Sequence, residues 1–323
     1  MYYKRCLSAL LQTPLYKILL VVLGLIILVH FFTYYGHPNF SNITRDEVIT
    51  LLYKAVNPNL KVESTTDCKY DFLKSPESLD SLSVPRKYDN FSAAGIVNGS
   101  YYPRHCRPRY SVAVLVTYRN RQEQLDIFVP YMHNFLRRQN IHYKLYVIEQ
   151  QDEEEWNKGM LYNIGARVAI AEQFPCLVLH DVDLLPLDRA NMYACLPSPR
   201  HMSASIDKFR FVLPYRSLVG GVTSLRADQF VLADGLSNRY RGWGGEDDDF
   251  ANRLQRHQLQ VLRVPREMSR YTMLVHPPSA PNPSRLALLR SPPRGTDGYG
   301  AAPRAPVRVR ETRLFTLVGV TTR

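Results

Sequence analysis

The run at 242–249, Gly-Trp-Gly-Gly-Glu-Asp-Asp-Asp, carries the densest chemistry in the chain. An indole sits in a glycine-rich turn, four carboxylates follow, and Phe250 and Leu254 continue in a helical pattern. Acids at a helix N-terminus complement the helix dipole. That accounts for one or two of them, but not for four beside a tryptophan between glycines. Trp243 offers a flat face to a sugar, and a neighbouring carboxylate can act as general base. A second acidic pair, Asp181-Val182-Asp183, follows the apolar run Cys176–Leu179. Extended backbone turns both carboxylates to one side. There they suit a hard divalent cation shared with phosphate oxygens, the plain alternative being a strand-end turn. Arg119 and Arg121 flank Asn120. Their guanidinium groups match a diphosphate, or else form a solvated pair opening a helix. Met273 and His276 are spaced to reach one ion from a strand or loop. Imidazole is a common ligand, whereas a thioether suits softer metals than Mn²⁺ or Mg²⁺. On their own, Met273 reads as core and His276 as a surface or supporting residue.

The elements that must position these groups alternate. Ser111–Tyr118 is a β-branched run ending at Arg119, and Leu125, Phe128, Met132 and Phe135 mark one helical face. Tyr143–Ile148 is a second strand. Leu161, Ile164, Val168 and Ala171 mark a second helix, and Cys176–Leu179 a third strand. This β-α-β-α-β order predicts an α/β fold with a largely parallel sheet covered by helices. Ligands of such sheets bind at the carboxyl ends of the strands, where Arg119, Arg121, Asp181 and Asp183 all fall.

Around that compact region, 106–276, the chain divides by composition. Residues 1–17 form a short basic tail, and Ile18–Tyr35 carries no formal charge over 18 residues, about the minimum to cross a bilayer. Lys4, Arg5 and Lys17 precede it, which predicts a single-pass type II anchor with the following chain lumenal. A cleaved signal peptide fits less well, because the run is long and the flank Phe31–His37 is aromatic rather than small. Residues 36–105 read as a stem with sequons at Asn39, Asn42, Asn90 and Asn98. Residues 277–323, rich in Pro and Arg, read as largely irregular.

The whole chain is 323 residues, 45% hydrophobic and 22% charged, which excludes a disordered chain, a collagen and a small disulfide scaffold. Its net charge of +12 invites anionic partners, and a glycosylated lumenal domain argues against nucleic acid among them. Cys6 lies on the cytosolic side of the predicted anchor. Cys68, Cys106, Cys176 and Cys195 remain, an even number that allows two disulfides in an oxidising compartment. No Cys or His spacing suggests zinc.

Taken together, the motifs resemble the β-1,4-galactosyltransferase family of type II Golgi enzymes, whose catalytic domain has the nucleotide-sugar-binding GT-A fold. The resemblance rests on TYRNRQEQL at 117–125, WNKGMLYNIGA at 156–166, HDVDLLP at 180–186, LPYRSLVGGVTSL at 213–225 and GWGGEDDD at 242–249. It covers Cys106 to about His276 and implies the following. Arg119 and Arg121 contact UDP, with Thr117 and Tyr118 on the uracil side, where the family usually has Pro-Phe. Asp183, Met273 and His276 bind Mn²⁺, and Asp181 contacts the donor. Trp243 and Gly244 touch donor and acceptor, Glu246 helps hold the sugars, and Asp247 is the base. Cys68–Cys106 and Cys176–Cys195 are the disulfides.

The resemblance further implies an inverting, Mn²⁺-dependent transfer of N-acetylgalactosamine or galactose from a UDP-sugar to the 4-hydroxyl of terminal GlcNAc, at the Golgi membrane. Donor choice hangs on Leu218. Vertebrate galactosyltransferases usually carry Tyr there, and invertebrate N-acetylgalactosaminyltransferases a small aliphatic. The shorter side chain leaves room for an N-acetyl group, which favours UDP-GalNAc without excluding UDP-galactose, the plain alternative being that Leu218 serves only packing. After His276 the family has a charged mobile lid, and the Pro/Arg-rich sequence here departs from it. Two alternatives follow: a catalytically weak glycan-binding or partner-stabilising homologue, or the same chemistry on xylose or glucose acceptors.

Overall fold

The computed structural model describes residues 14–33, 36–54, 66–74, 91–277, 279–291, 295–303 and 308–322. In chain order the helices are α1 (Leu15–Thr33), α2 (Arg45–Lys54), α3 (Gln122–Arg137), α4 (Lys158–Ala171), α5 (Ala227–Leu232), α6 (Glu246–Arg256) and α7 (Arg285–Arg290). The strands begin with β1 (Ile96–Val97), β2 (Ser100–Tyr101), β3 (Ser111–Tyr118), β4 (His142–Gln150), β5 (Cys176–Asp181) and β6 (Leu184–Pro186). There follow β7 (Arg200–His201), β8 (Ser205–Ile206), β9 (Val222–Arg226), β10 (Arg270–Met273), β11 (Arg308–Glu311) and β12 (Thr316–Val320).

Strand β3 is buried along its whole length and lies between β4 and β5, parallel to both. The alternation of its side chains separates two cores. Val112, Val114 and Val116 pack with Leu125, Phe128, Met132 and Phe135 of α3. Ala113 and Leu115 pack with Leu161, Ile164 and Ala169 of α4. Burying a Val, Leu or Phe side chain of this kind contributes about 1.5–3 kcal/mol. Gly165 lets α4 sit directly on the sheet, since a Cβ there would lie 2.7 Å from Cγ1 of Ile148.

The sheet is less parallel than its sequence pattern predicts. Strands β12, β4, β3 and β5 run parallel, but β9 and β7 continue it antiparallel, and β2 joins β4 antiparallel. A second small sheet orders β6-β10-β8. Two composition boundaries are not packing boundaries. In 36–105, Phe40 is buried against Ala204 and Leu213, and Val48 and Leu52 are buried because α2 has an apolar face that neighbouring sequons and charges obscure. In 277–323, β12 pairs with β4 through five residues and buries Val318 and Val320. Its run Thr-Leu-Val-Gly-Val is a strand that the Pro/Arg-rich flank masks.

Helix α1 covers most of the predicted anchor, and Leu19, Val21, Leu23, Ile26 and Val29 are exposed. Among the described residues no helix is long and apolar enough to cross a membrane. Both disulfides are formed, Cys68–Cys106 and Cys176–Cys195. Asn39 is exposed, whereas Asn42 and Asn98 already hydrogen bond through their amides; Asn90 and Cys6 lie outside the described residues.

Candidate active site

Strand β5 ends at Asp181, whose register partner on β3 is Thr117, so two strand ends meet at one edge. The backbone N–H of Asp181 donates to Gly221 O at 3.0 Å, which brings in the loop before β9. From the other side comes α4. Its cap Asn157 is fully buried and accepts from Met160 N–H through its side chain. Gln150 at the end of β4 accepts from Asn157 N–H, and the Asn157 amide donates to Asn238 O. This clamp aims Lys158, the first residue of α4, into the crevice.

Lys158 Nζ lies 3.0 Å from Asp181 Oδ1, 3.4 Å from Asp247 Oδ2 and 3.6 Å from Glu246 Oε1. Burial works to lower the Lys158 pKa, but Asp181 and Asp247 outweigh it and hold the ammonium well above its ordinary value. Burial raises the Asp247 carboxyl, with Lys158 opposing and Asp181 reinforcing. Burial likewise raises Asp181 and Glu246. One cation faces three carboxylates in a partly dehydrated crevice, so each acid holds its proton more readily than in water.

The four consecutive acids divide their tasks. Glu246 and Asp247 face Lys158. Asp248 accepts from the Tyr215 hydroxyl at 3.0 Å. Asp249 pairs with Arg253 one helical turn on, and Arg253 also binds Asp297, so that acid serves the fold. Asp247 packs tightly against the loop before β9, where a Cβ on Gly220 would lie 2.3 Å from Asp247 Oδ2. Trp243 is 54% exposed, with the Arg285 guanidinium 5.5 Å above its ring. Around the Gly244-Gly245 turn, Glu246 Oε2, the Tyr240 hydroxyl and Arg285 Nη1 are buried without hydrogen-bond partners among the described residues. Such atoms are costly unless a ligand satisfies them.

At the adjoining strand end, His276 Nε2 lies 2.7 Å from Asp183 Oδ2. Leu274 N–H donates to Asp183 O, and Met273 pairs with Leu184 across β10 and β6. Among the described residues no group of three or more His, Cys, Asp and Glu is arranged for a metal. A carboxylate and an imidazole that meet at this distance still fit two positions around one divalent ion, with Met273 next to them on β10.

The remaining expected residues scatter. Arg119 donates to Glu154 O at 2.6 Å and covers the Trp156 ring at 5.4 Å, while Arg121 stands at the residue before α3. Gly242 N–H donates to Trp156 O, which ties the acidic loop to the same segment. Thr117 is level with Asp181, but Tyr118 points to the opposite face. There it lines a cavity of about 370 Å³ with Gln122, Glu149 and Arg310. Leu218 packs with Phe40, Ala204 and Leu213 instead of joining the carboxylates. Reading the sequence missed Lys158, Trp156, Gly220 and Arg285. Lys158 and Trp156 stood inside a quoted motif, but a single lysine and tryptophan gave no signal until the fold gathered acids around them.

Two family models match the chain: the N-terminal region of glycosyl transferase group 7 over residues 78–196, and the N-terminal domain of galactosyltransferase over 200–277. Beta-1,4-galactosyltransferase 2 of Cricetulus griseus is 38% identical over 232 residues, 70% of this chain and 63% of that protein. Beta-1,4-galactosyltransferase 1 of Mus musculus is 41% identical over 192 residues, 58% of this chain and 48% of that protein. The chain thus spans less than two thirds of these relatives. Among solved structures, the catalytic domain of Drosophila β1,4-galactosyltransferase 7 with xylobiose aligns with TM-score 0.57 and 27% identity. That alignment covers 66% of this chain and 94% of the Drosophila chain. A mutant of the Drosophila enzyme, bound to manganese, UDP-Gal and xylobiose, aligns equally well.

Proposed function

Because the chain belongs to the β-1,4-galactosyltransferase family, we propose that it moves galactose or N-acetylgalactosamine from a UDP-sugar to the 4-hydroxyl of a terminal GlcNAc, with inversion. The observation that carries this reading is the convergence of Asp181, Glu246 and Asp247 on Lys158, next to the Asp183–His276 pair. Asp183 and His276, with Met273 beside them, would hold Mn²⁺, which when bound offsets negative charge on the departing diphosphate. As the resemblance implies, Arg119 and Arg121 would turn from their present contacts with Glu154, Trp156 and α3 to the diphosphate, with Thr117, level with Asp181, on the uracil side. Trp243 would present its exposed face to the sugars, and Glu246, Tyr240 and Arg285 would find hydroxyl partners for their buried polar atoms.

Asp247 would take the proton from the acceptor 4-hydroxyl as that oxygen bonds to the anomeric carbon. The bond from that carbon to the UDP oxygen breaks on the opposite side, and UDP leaves with its electron pair. Lys158 would keep Asp247 oriented and its charge partly compensated. The chain would act in the Golgi lumen, anchored through the apolar segment at 18–35.

The test is UDP release by the full-length protein with UDP-Gal and UDP-GalNAc, with and without Mn²⁺, on GlcNAc, xylose and glucose acceptors. Turnover on GlcNAc with either donor supports the reading, and the absence of turnover on every acceptor overturns it. Xylose belongs in the panel because the aligned Drosophila enzyme carries xylobiose.

A further inference from the structure

We infer that residues 37–42 form a strap that positions the loop 213–220, so that a segment outside the family-matched region takes part in donor binding. This rests on the transferase reading above. The family models match 78–196 and 200–277, so the loop lies inside them and the strap precedes both. His37 N–H donates to Leu213 O at 2.7 Å, and Leu213 N–H returns a bond to His37 O. Gly36 makes this approach possible. Its φ is +63°, and a Cβ would lie 2.5 Å from Leu213 O. Phe40, 6% exposed, closes a small apolar cluster with Ala204, Leu213 and Leu218.

The strap also holds the loop through Arg263. The Asn42 carboxamide accepts from Arg263 N–H at 2.6 Å and donates to Val261 O at 3.1 Å. The Arg263 guanidinium in turn donates to Arg216 O and Leu218 O, both at 2.8 Å. The loop so held carries Tyr215 onto Asp248 and Gly220 against Asp247. Phe40 and Asn42 are therefore positioning residues. They touch no reacting atom, but the loop beside both acids rests on them.

The experiment uses the full-length chain with Phe40→Ala, Phe40→Leu and Asn42→Ala. Thr44→Asn serves as control, because it removes the Asn42 sequon, keeps the Asn42 carboxamide and leaves a side-chain oxygen to accept from Glu47 N–H at the start of α2. Calorimetry measures UDP and UDP-sugar binding, kinetics separates KM from kcat, and trypsin reports cleavage after the exposed Arg216. Phe40→Ala and Asn42→Ala should weaken UDP-sugar binding and raise donor KM about tenfold, the usual scale for coupling through packed neighbours. UDP affinity should stay within about twofold, because Arg119 and Arg121, the groups proposed for the diphosphate, lie outside the loop, whereas kcat should fall as the loop shifts against Asp247. Cleavage at Arg216 should accelerate, and Phe40→Leu should restore both readouts. Asn42→Ala carries the test alone if Phe40→Ala does not fold. Unchanged UDP-sugar binding overturns the inference, whether or not cleavage accelerates. If the wild-type protein turns over no acceptor, the transferase reading fails separately, and the strap is judged on UDP-sugar binding and cleavage alone.

Discussion

At the scale of single residues, the site is a problem of charge: one ammonium among three carboxylates. Asp247→Asn should lower kcat by about 10²–10⁴, the usual contribution of a positioned base, which UDP release measures. The same change removes one of several crowded acids, so the thermal midpoint at neutral pH should hold or rise. Lys158→Met has the opposite sign. It leaves Asp181, Glu246 and Asp247 without their cation, and denaturant melts should lose about 3–5 kcal/mol. The raised Asp247 carboxyl sets a pH signature, because its folded pKa lies above its unfolded one. Activity needs the ionised form, so kcat/KM should fall with acidification in a limb above the ordinary carboxylate value of 3.8. The folded state binds the extra proton, so this group's contribution to stability declines as pH rises through that window and is level beyond it. An acid limb at or below 3.8 would exclude Asp247 as the titrating base.

At the scale of elements, the acids work only because a strand end, a helix start and a loop are held in register. Gly220 is the tightest point, where a Cβ would meet Asp247 Oδ2 at 2.3 Å. Gly220→Ala should displace that carboxylate and cost about 10²-fold in kcat, the expected penalty for an ångström of misplacement. Circular dichroism should show the fold retained. The helix α6 was legible from Glu246 onward, because its acids and its Phe250/Leu254 spacing are local signals. The separate tasks of those acids were not, since Tyr215, Lys158 and Arg253 come to them from elsewhere.

At the scale of the whole molecule, distant segments complete the body. The Cys176–Cys195 bridge closes a 19-residue separation and fixes the start of β5, the strand that ends at Asp181. Replacing both cysteines by serine should lower unfolding free energy by about 3 kcal/mol, read by urea titration under non-reducing conditions. Strand β12 covers the edge of β4 from the far end of the chain. The exposed apolar side chains of α1 predict that full-length protein sediments with membranes and needs detergent for release. Recovery in the soluble fraction would exclude the anchor.

The amino-acid sequence by itself determined the α/β alternation, the two acidic motifs and the family resemblance, because periodicity and motif spacing are properties of neighbours along the chain. It placed Asp181 and Asp183 at a strand end and Asp247 at a helix start for the same reason. Only the tertiary structure decided that Lys158 joins the acids, that Tyr118 faces away from them and that Leu218 leans on Phe40. Those outcomes depend on which face of a strand meets which helix, and on contacts between residues far apart in sequence. No local pattern encodes them.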